Sequence, residues 1–336
     1  MGARVEAAGR IDGAPVARGV LESAAARIEV IGWGASLRRW RVALPGGERE
    51  VALGLARLED YPRHGASLGA VVGRVANRIR AARFRLGGRE VRVPANLGED
   101  CLHGGAEGLG RRIWAMDADD AGSALRLTYR SPDGEAGFPG AVAFEVVMRL
   151  RGASLRWEFR AVPDRETPIN LAQHVYWNLD GGGSVADHRL RLASRAVTPL
   201  DARLLPTGEL RETAGGPLDF SVPRRLRGED GAPLPLDLNF ALDPGRGAAS
   251  AAEVLSGDGA ARLRLSTDRP GLQVFDMPGM AVGFPGLGGA DYGPFSGLCL
   301  EAQDFPDAVN RPEFPSILRS PDRPYAAFTE VEIGTT

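Results

Sequence analysis

The chain contains no lysine: all 41 residues counted as Lys+Arg are arginines. Without lysine it cannot form a Schiff base with a carbonyl substrate or with pyridoxal phosphate. Nor can it supply the lysine of a phosphate-binding P-loop or of a protein kinase. Cysteine is nearly absent too. Cys101 and Cys299 are the only two, too few for a disulfide scaffold or a thiolate zinc site. Long apolar runs are missing, and no stretch approaches the roughly 20 residues of a membrane span. The N-terminal segment, with Arg4, Glu6 and Arg10 scattered through it, lacks the apolar run of about 7–15 residues that marks a signal peptide. A cytoplasmic location with no membrane partner is the expectation. The net charge is −2, with no block of like charges, so the basic stripe of a nucleic-acid binder is absent and no such partner is expected. Neither a G-x-S-x-G elbow nor a nucleotide-binding glycine fingerprint occurs.

What is present is enough for a sizeable core: 336 residues, 43% hydrophobic and 25% charged, as in ordinary soluble proteins. Apolar residues alternate with arginine and glutamate at a period of two, the signature of half-buried strands. Phe84 and Leu86 then Val91 and Val93 flank Gly87-Gly88 as a hairpin. Leu125, Leu127 and Tyr129 form a further strand face. Val142, Phe144, Val146, Met148 and Leu150 form another, and Leu155, Trp157 and Phe159 return beyond Gly152. Leu190 and Leu192, and later Leu263 and Leu265, repeat the pattern. With 45 Gly and 24 Pro, few windows sustain a helical period. The expectation is an all-β sandwich or barrel in one domain spanning 1–336, without linker, repeat or low-complexity tail. Residues 131–140 and 243–260 read as the richest loops.

Five segments break the alternation. Gly73-Arg74-Val75-Ala76-Asn77-Arg78-Ile79 carries two cations and an amide, and by itself reads as a solvated edge. Leu102-His103-Gly104-Gly105 has a Gly pair that can bring backbone close to a ligand. In 167–179, read as one strand, Asn170, His174, Tyr176 and Asn178 share a face, which suits binding better than packing. Asp237-Leu238-Asn239 alone reads as a turn. In 297–306 an apolar strand presents Glu301 and Gln303 on the face shared by Cys299, and a carboxylate there is costly unless bonded or functional. One His and one Glu in a polar cleft can act as an acid/base pair. A metal held by His103, His174, Asp237 and Glu301 is the competing idea, but their spacing matches no ligand motif, so neither metal nor cofactor is expected. His64 and His188 receive no role.

Taken in order, these segments resemble the aldose 1-epimerase (galactose mutarotase) family. The likeness begins at Ile28-Glu-Val-Ile-Gly-Trp-Gly-Ala-Ser-Leu37 and runs through the five segments, Thr198-Pro-Leu-Asp201, and Pro270-Gly-Leu-Gln273. It reaches Phe305-Pro-Asp-Ala-Val-Asn310 and extends to about 331. The resemblance implies an all-β antiparallel supersandwich of the galactose mutarotase type and interconversion of the α and β anomers of a free aldose. It also implies Glu301 as catalytic base and His174 as catalytic acid, with Asn77, Arg78, His103, Asp237 and Gln273 holding the sugar. The partner expected is a small-molecule sugar and the chain a monomer or homodimer. Departures from the family pattern are Leu238 and Asp304 in place of common histidines, and Gln173, Val175 and Trp177 around His174.

That chemistry asks for Glu301 ionised while His174 is protonated, so nearby carboxylates are expected to raise the pKa of His174. Two rival readings stand beside it. A glycoside hydrolase could use Asp237 and Glu301 as its carboxyl pair, or the chain could bind sugar without catalysis.

Overall fold

The computed structural model describes residues 2–119, 123–246 and 250–336. Among them every helical segment is a three-residue 3-10 turn, and no helix is long and apolar enough to cross a membrane. The alternation read from the sequence governs the architecture. Strand Val142–Arg151 buries Val142, Phe144, Val146, Met148 and Leu150 and turns the intervening residues outward. It pairs antiparallel with Ser154–Pro163, setting Met148 opposite Trp157 and Leu150 opposite Leu155. A slip of one residue would send this whole apolar set into water, so burial fixes the register. Outward ion pairs such as Arg126 with Glu145 and Arg156 with Glu330 add at most about 1 kcal/mol each.

Three large antiparallel sheets result. A nine-stranded sheet runs from Ala115–Ala118 through Ala124–Ser131, the pair above, Tyr325–Thr335, Ala261–Thr267, Ala252–Leu255 and Arg189–Leu192 to Arg224–Arg225. A five-stranded sheet contains Gly2–Ile11 to Gly47–Glu50 in chain order. The third has six strands in the order Tyr176–Trp177, Leu298–Gln303, Gly271–Phe275, Asp237–Leu242, Ser194–Val197 and Arg211–Glu212. Trp40 of the five-stranded sheet ties the three together. Its ring lies 6.4 Å from Trp157 of the nine-stranded sheet and 5.5 Å from Trp177 of the six-stranded one. All three rings are buried, and tilted aromatic contacts at these separations add about 0.5–1.5 kcal/mol each beyond their area.

The hairpin at Gly87-Gly88 forms as expected, with Phe84 opposite Val91. Three expectations change. The loop expected over 243–260 contains strand Ala252–Leu255, and residues 247–249 of it lie outside the described residues. Asp237 opens a six-residue strand rather than a turn, because Phe240 and Leu242 are buried against the core. The stretch 167–179 is three two-residue strands, Thr167–Pro168, Ala172–Gln173 and Tyr176–Trp177, each paired with a different partner. Its polar residues therefore do not share one face.

Candidate active site

Directly opposed residues on neighbouring antiparallel strands face the same side of a sheet, and the six-stranded sheet uses this to collect polar groups. Asn239, Gln273 and Glu301 stand in one cross-strand row; Asp237, Phe275, Cys299 and Tyr176 stand in the next. Leu238, Val274 and Leu300 point the other way, and the last two are fully buried in the main core. The seven residues singled out from the sequence, Asn77, Arg78, His103, His174, Asp237, Gln273 and Glu301, all border one cavity of about 120 Å³ above this face. A wider recess of about 410 Å³, beside Arg39, Glu50 and Tyr292, holds none of them.

Arg78 lies in a short antiparallel pair in which it faces Leu102, and His103 follows directly after that pair. Asn77 and His103 both adopt left-handed backbone, with φ of 61° and 53°, a conformation that costs non-glycine residues about 1–3 kcal/mol. Reciprocal bonds hold them there. The His103 N–H donates to the Asn77 carbonyl at 3.0 Å, and the Asn77 N–H donates to His103 Nδ1 at 3.2 Å. Gly104 is required by close backbone packing: a side chain there would strike the Gly73 carbonyl at 2.1 Å. The segment 73–79 is not a solvated edge. Arg74 is buried and donates to Ser131, Pro132, Pro139 and Gly140, bracing the 131–140 loop away from the cavity.

Asp237 is gripped from two sides. Its Oδ2 accepts Arg78 Nη2 at 3.2 Å and its Oδ1 accepts Gln273 Nε2 at 2.6 Å. His174 is set by its main chain, which donates to the Ala70 carbonyl at 2.8 Å and accepts the Gly69 N–H at 2.9 Å. Its Nδ1 lies 3.5 Å from the Cys299 sulfur, and its Nε2 lies 3.7 Å from Glu301 Oε1. Glu301 is only 2% exposed, and its Oε2 is buried with no hydrogen-bond partner among the described residues. Unbonded buried oxygens are rare and costly, and here the bare carboxylate faces the cavity.

Burial dominates the electrostatics. Glu301 is pushed up to about 8 by burial, with the Asp237 charge adding and Arg78 opposing. His174 is pushed down to about 4 by burial, against the pull of its own main-chain carbonyl. The expected rise of His174 is thus overturned, because burial removes water from the ring while the neighbouring Glu301 is itself held neutral by burial and offers no charge to raise it. His103 is held well below the ordinary range by burial, then by His174 and Arg78.

The ligand atoms of His103, His174 and Glu301 lie within 4.8 Å of one another, so a metal triad must be considered. The partner of His103 decides against it. Because Nδ1 accepts the Asn77 N–H, the neutral ring carries its proton on Nε2, which is then a donor and not a ligand.

Not all polar residues of 167–179 reach the cavity. Asn170 exchanges bonds with the Asp304 main chain, and Asn178 donates to the Gly183 and Ser296 carbonyls. Asp304 itself is buried and paired with Arg269 at 3.2 Å, so this departure is structural. Sequence reasoning missed Ser67, Phe275 and Met280, which also border the cavity. Phe275 had a signal, two positions beyond Gln273 on one strand; Met280 sits in a Gly- and Pro-rich segment without one.

The family model for aldose 1-epimerase matches residues 20–332. Galactose mutarotase of Mus musculus is 36% identical over 318 residues, covering 93% of this chain and 92% of that protein. Aldose 1-epimerase of Escherichia coli K12 is 34% identical, covering 91% of each. Among solved structures, an aldose epimerase homologue from C. elegans superimposes with a TM-score of 0.89 at 26% identity, over 95% of this chain and 99% of that one. The fold is accordingly the antiparallel supersandwich of the galactose mutarotases, and the chain belongs to the aldose 1-epimerase family.

Proposed function

We infer that the protein is an isomerase that interconverts the α and β anomers of a free aldose. Membership of the family over nearly the whole chain carries the activity, and it favours neither a glycoside hydrolase nor a non-catalytic sugar binder. The residue roles rest chiefly on one observation: a fully buried carboxylate, Glu301, faces the cavity without a hydrogen-bond donor, 3.7 Å from a buried imidazole.

Mutarotation needs two proton transfers on one ring. Glu301 takes the anomeric hydroxyl proton while His174 Nε2 protonates the ring oxygen, and the C1–ring-oxygen bond breaks. Rotation about C1–C2 and reversal of both transfers close either anomer. Burial favours the neutral form of both groups, carboxylic acid and imidazole. The reactive carboxylate–imidazolium pair contains the same number of protons, so one proton crossing between Glu301 and His174 converts one form to the other. Asn77, Arg78, Asp237 and Gln273 offer donors and acceptors matched to sugar hydroxyls. His103 Nε2–H adds a donor beside them. Each positioned acid or base contributes about 10² to 10⁴-fold.

Polarimetry tests the activity. The enzyme should speed the relaxation of optical rotation in fresh solutions of glucose, galactose, xylose or arabinose and release no sugar from glycosides. A null rate across that panel would leave only sugar binding. We also propose that the chain works as one domain, since the nine-stranded sheet joins strands from 115 to 335. A cytoplasmic location suits the two free, buried thiols of Cys101 and Cys299. A monomeric or homodimeric state completes the reading.

A further inference from the structure

We propose that Asp276 is a positioning residue for the sugar-binding carboxylate of Asp237, acting through the peptide of Leu236. Asp276 follows Phe275 at the end of its strand, and Phe275 is the residue opposite Asp237. It holds the approach to Asp237 at two points. The Leu236 N–H donates to Asp276 Oδ1 at 2.9 Å, and the Asp276 N–H donates to the Leu236 carbonyl at 3.2 Å. Leu236, the residue just ahead of Asp237, is therefore held at both its N–H and its carbonyl. Without the side-chain acceptor only the main-chain bond remains, and Asp237 could no longer meet Arg78 and Gln273 in one geometry. Displacements of about 1 Å at such a site can cost up to 10²-fold.

A second observation sets the form in which Asp276 does this. The side chain is 1% exposed, and Oδ2 is buried without a partner. The charged and titratable groups around it are Asp237 and the Cys299 thiol, on the two strands that flank Gly271–Phe275 in the sheet. No cation faces it among the described residues, so an ionised Oδ2 would be unsolvated, unpaired and repelled by Asp237. Burial, with Asp237 adding, accordingly pushes the carboxyl up to about 7. In the acid form the clamp is unstrained; in the carboxylate form the Leu236 N–H bond persists, but Oδ2 is desolvated and repelled by Asp237.

The inference rests on the reading of Asp237 as a sugar ligand, so Asp237→Asn is the reference. That variant should raise KM about tenfold or more with kcat little changed, the pattern of lost uniform binding. Asp276→Leu should raise KM at pH 6 by a similar factor, while Asp276→Asn, which keeps Oδ1 as acceptor, should stay within about twofold of wild type. Between pH 6 and 9 the wild-type KM should climb more steeply than that of Asp276→Asn, in which only Glu301 still titrates in this range. If Asp237→Asn leaves KM unchanged, the reading of Asp237 fails and the inference with it. If Asp237→Asn raises KM but Asp276→Leu does not, Asp276 positions nothing. Should Asp276→Leu fail to fold, the pH comparison still decides: parallel KM curves for wild type and Asp276→Asn overturn the proposal.

Discussion

His174 Nε2 and Glu301 Oε1 lie 3.7 Å apart, and burial drives them toward opposite ends of their ordinary ranges, His174 to about 4 and Glu301 to about 8. An exposed Glu–His pair would exist as an ion pair only between about 4.3 and 6.5. The buried pair instead holds one proton across the span from about 4 to about 8. Which atom carries that proton matters less than the count, since the two groups titrate as a unit.

The first prediction follows from that count. Wild-type kcat/KM should hold through neutrality apart from the KM rise assigned to Asp276, fall below about pH 4 as the pair gains a second proton, and fall above about pH 8 as it loses its only one. In His174→Asn the acid is gone, and residual activity, lower by about 10² to 10⁴-fold, depends on ionised Glu301 alone. Its pH dependence should turn over, with kcat/KM rising as the pH passes about 8. A His174→Asn variant that keeps the wild-type alkaline fall would remove His174 as the acid and point to His103.

Glu301→Gln should lose about 10²-fold or more in kcat/KM, because the amide keeps the shape but cannot take the anomeric proton. Sugar should still protect the variant against thermal unfolding, since Asp237, Arg78 and Gln273 are untouched. Retention of more than about a tenth of wild-type kcat/KM would end the assignment of Glu301 as base.

The strands were legible because period-two burial is a local property; Val142–Arg151 displays it in every residue. The site was legible for a different reason. Glu301 interrupts an apolar strand, and a polar interruption of a buried row stands out in sequence, whereas Asp237 alone read as a turn and Gln273 came only from the family resemblance. What could not be read is where a polar side chain points when its backbone is irregular. Asn170 and Asn178 look like His174 in sequence, yet short strands with separate partners turn them to main-chain carbonyls. Arg74 looks like Arg78 but braces a loop that begins at Ser131. The protonation of His174 was misjudged because sequence reveals neighbouring charge but not the depth of burial.

Chelators should leave activity unchanged, although His103, His174 and Glu301 could span a metal. For His103 to bind one through Nε2, its proton would have to move to Nδ1, against the Asn77 N–H. Loss of activity in EDTA, restored by a single divalent metal, would show that this hydrogen bond breaks in solution.

Arg74→Met should destabilise the fold without touching the chemistry. The guanidinium satisfies Ser131 Oγ and the carbonyls of Pro132, Pro139 and Gly140 from a buried position. Its loss strands those acceptors, at a cost of about 3 kcal/mol. Urea unfolding should report that loss, while kcat/KM of the folded variant stays within about twofold of wild type. A large fall in kcat/KM would place Arg74 in the site after all.

The last prediction concerns the stability cost of the base itself. Glu301 has an ordinary value of 4.5 in the unfolded chain and about 8 in the folded one, so between these limits the native state binds more protons than the unfolded state. Stability must then fall as pH rises through that window, and the loss is complete above about 8. Glutamine does not titrate. Glu301→Gln should therefore gain on wild type as pH rises, reaching an advantage on the order of 2–5 kcal/mol at pH 9. His174 and His103 shift in the opposite sense, and their contributions change only below about 6.5. Asp276 titrates near 7 in both proteins and cancels in the comparison. Urea unfolding of the two proteins at pH 6, 7.5 and 9 isolates the carboxyl. A constant difference across the series would mean that Glu301 is already ionised at pH 6, and that the carboxylic acid form of the resting site does not exist.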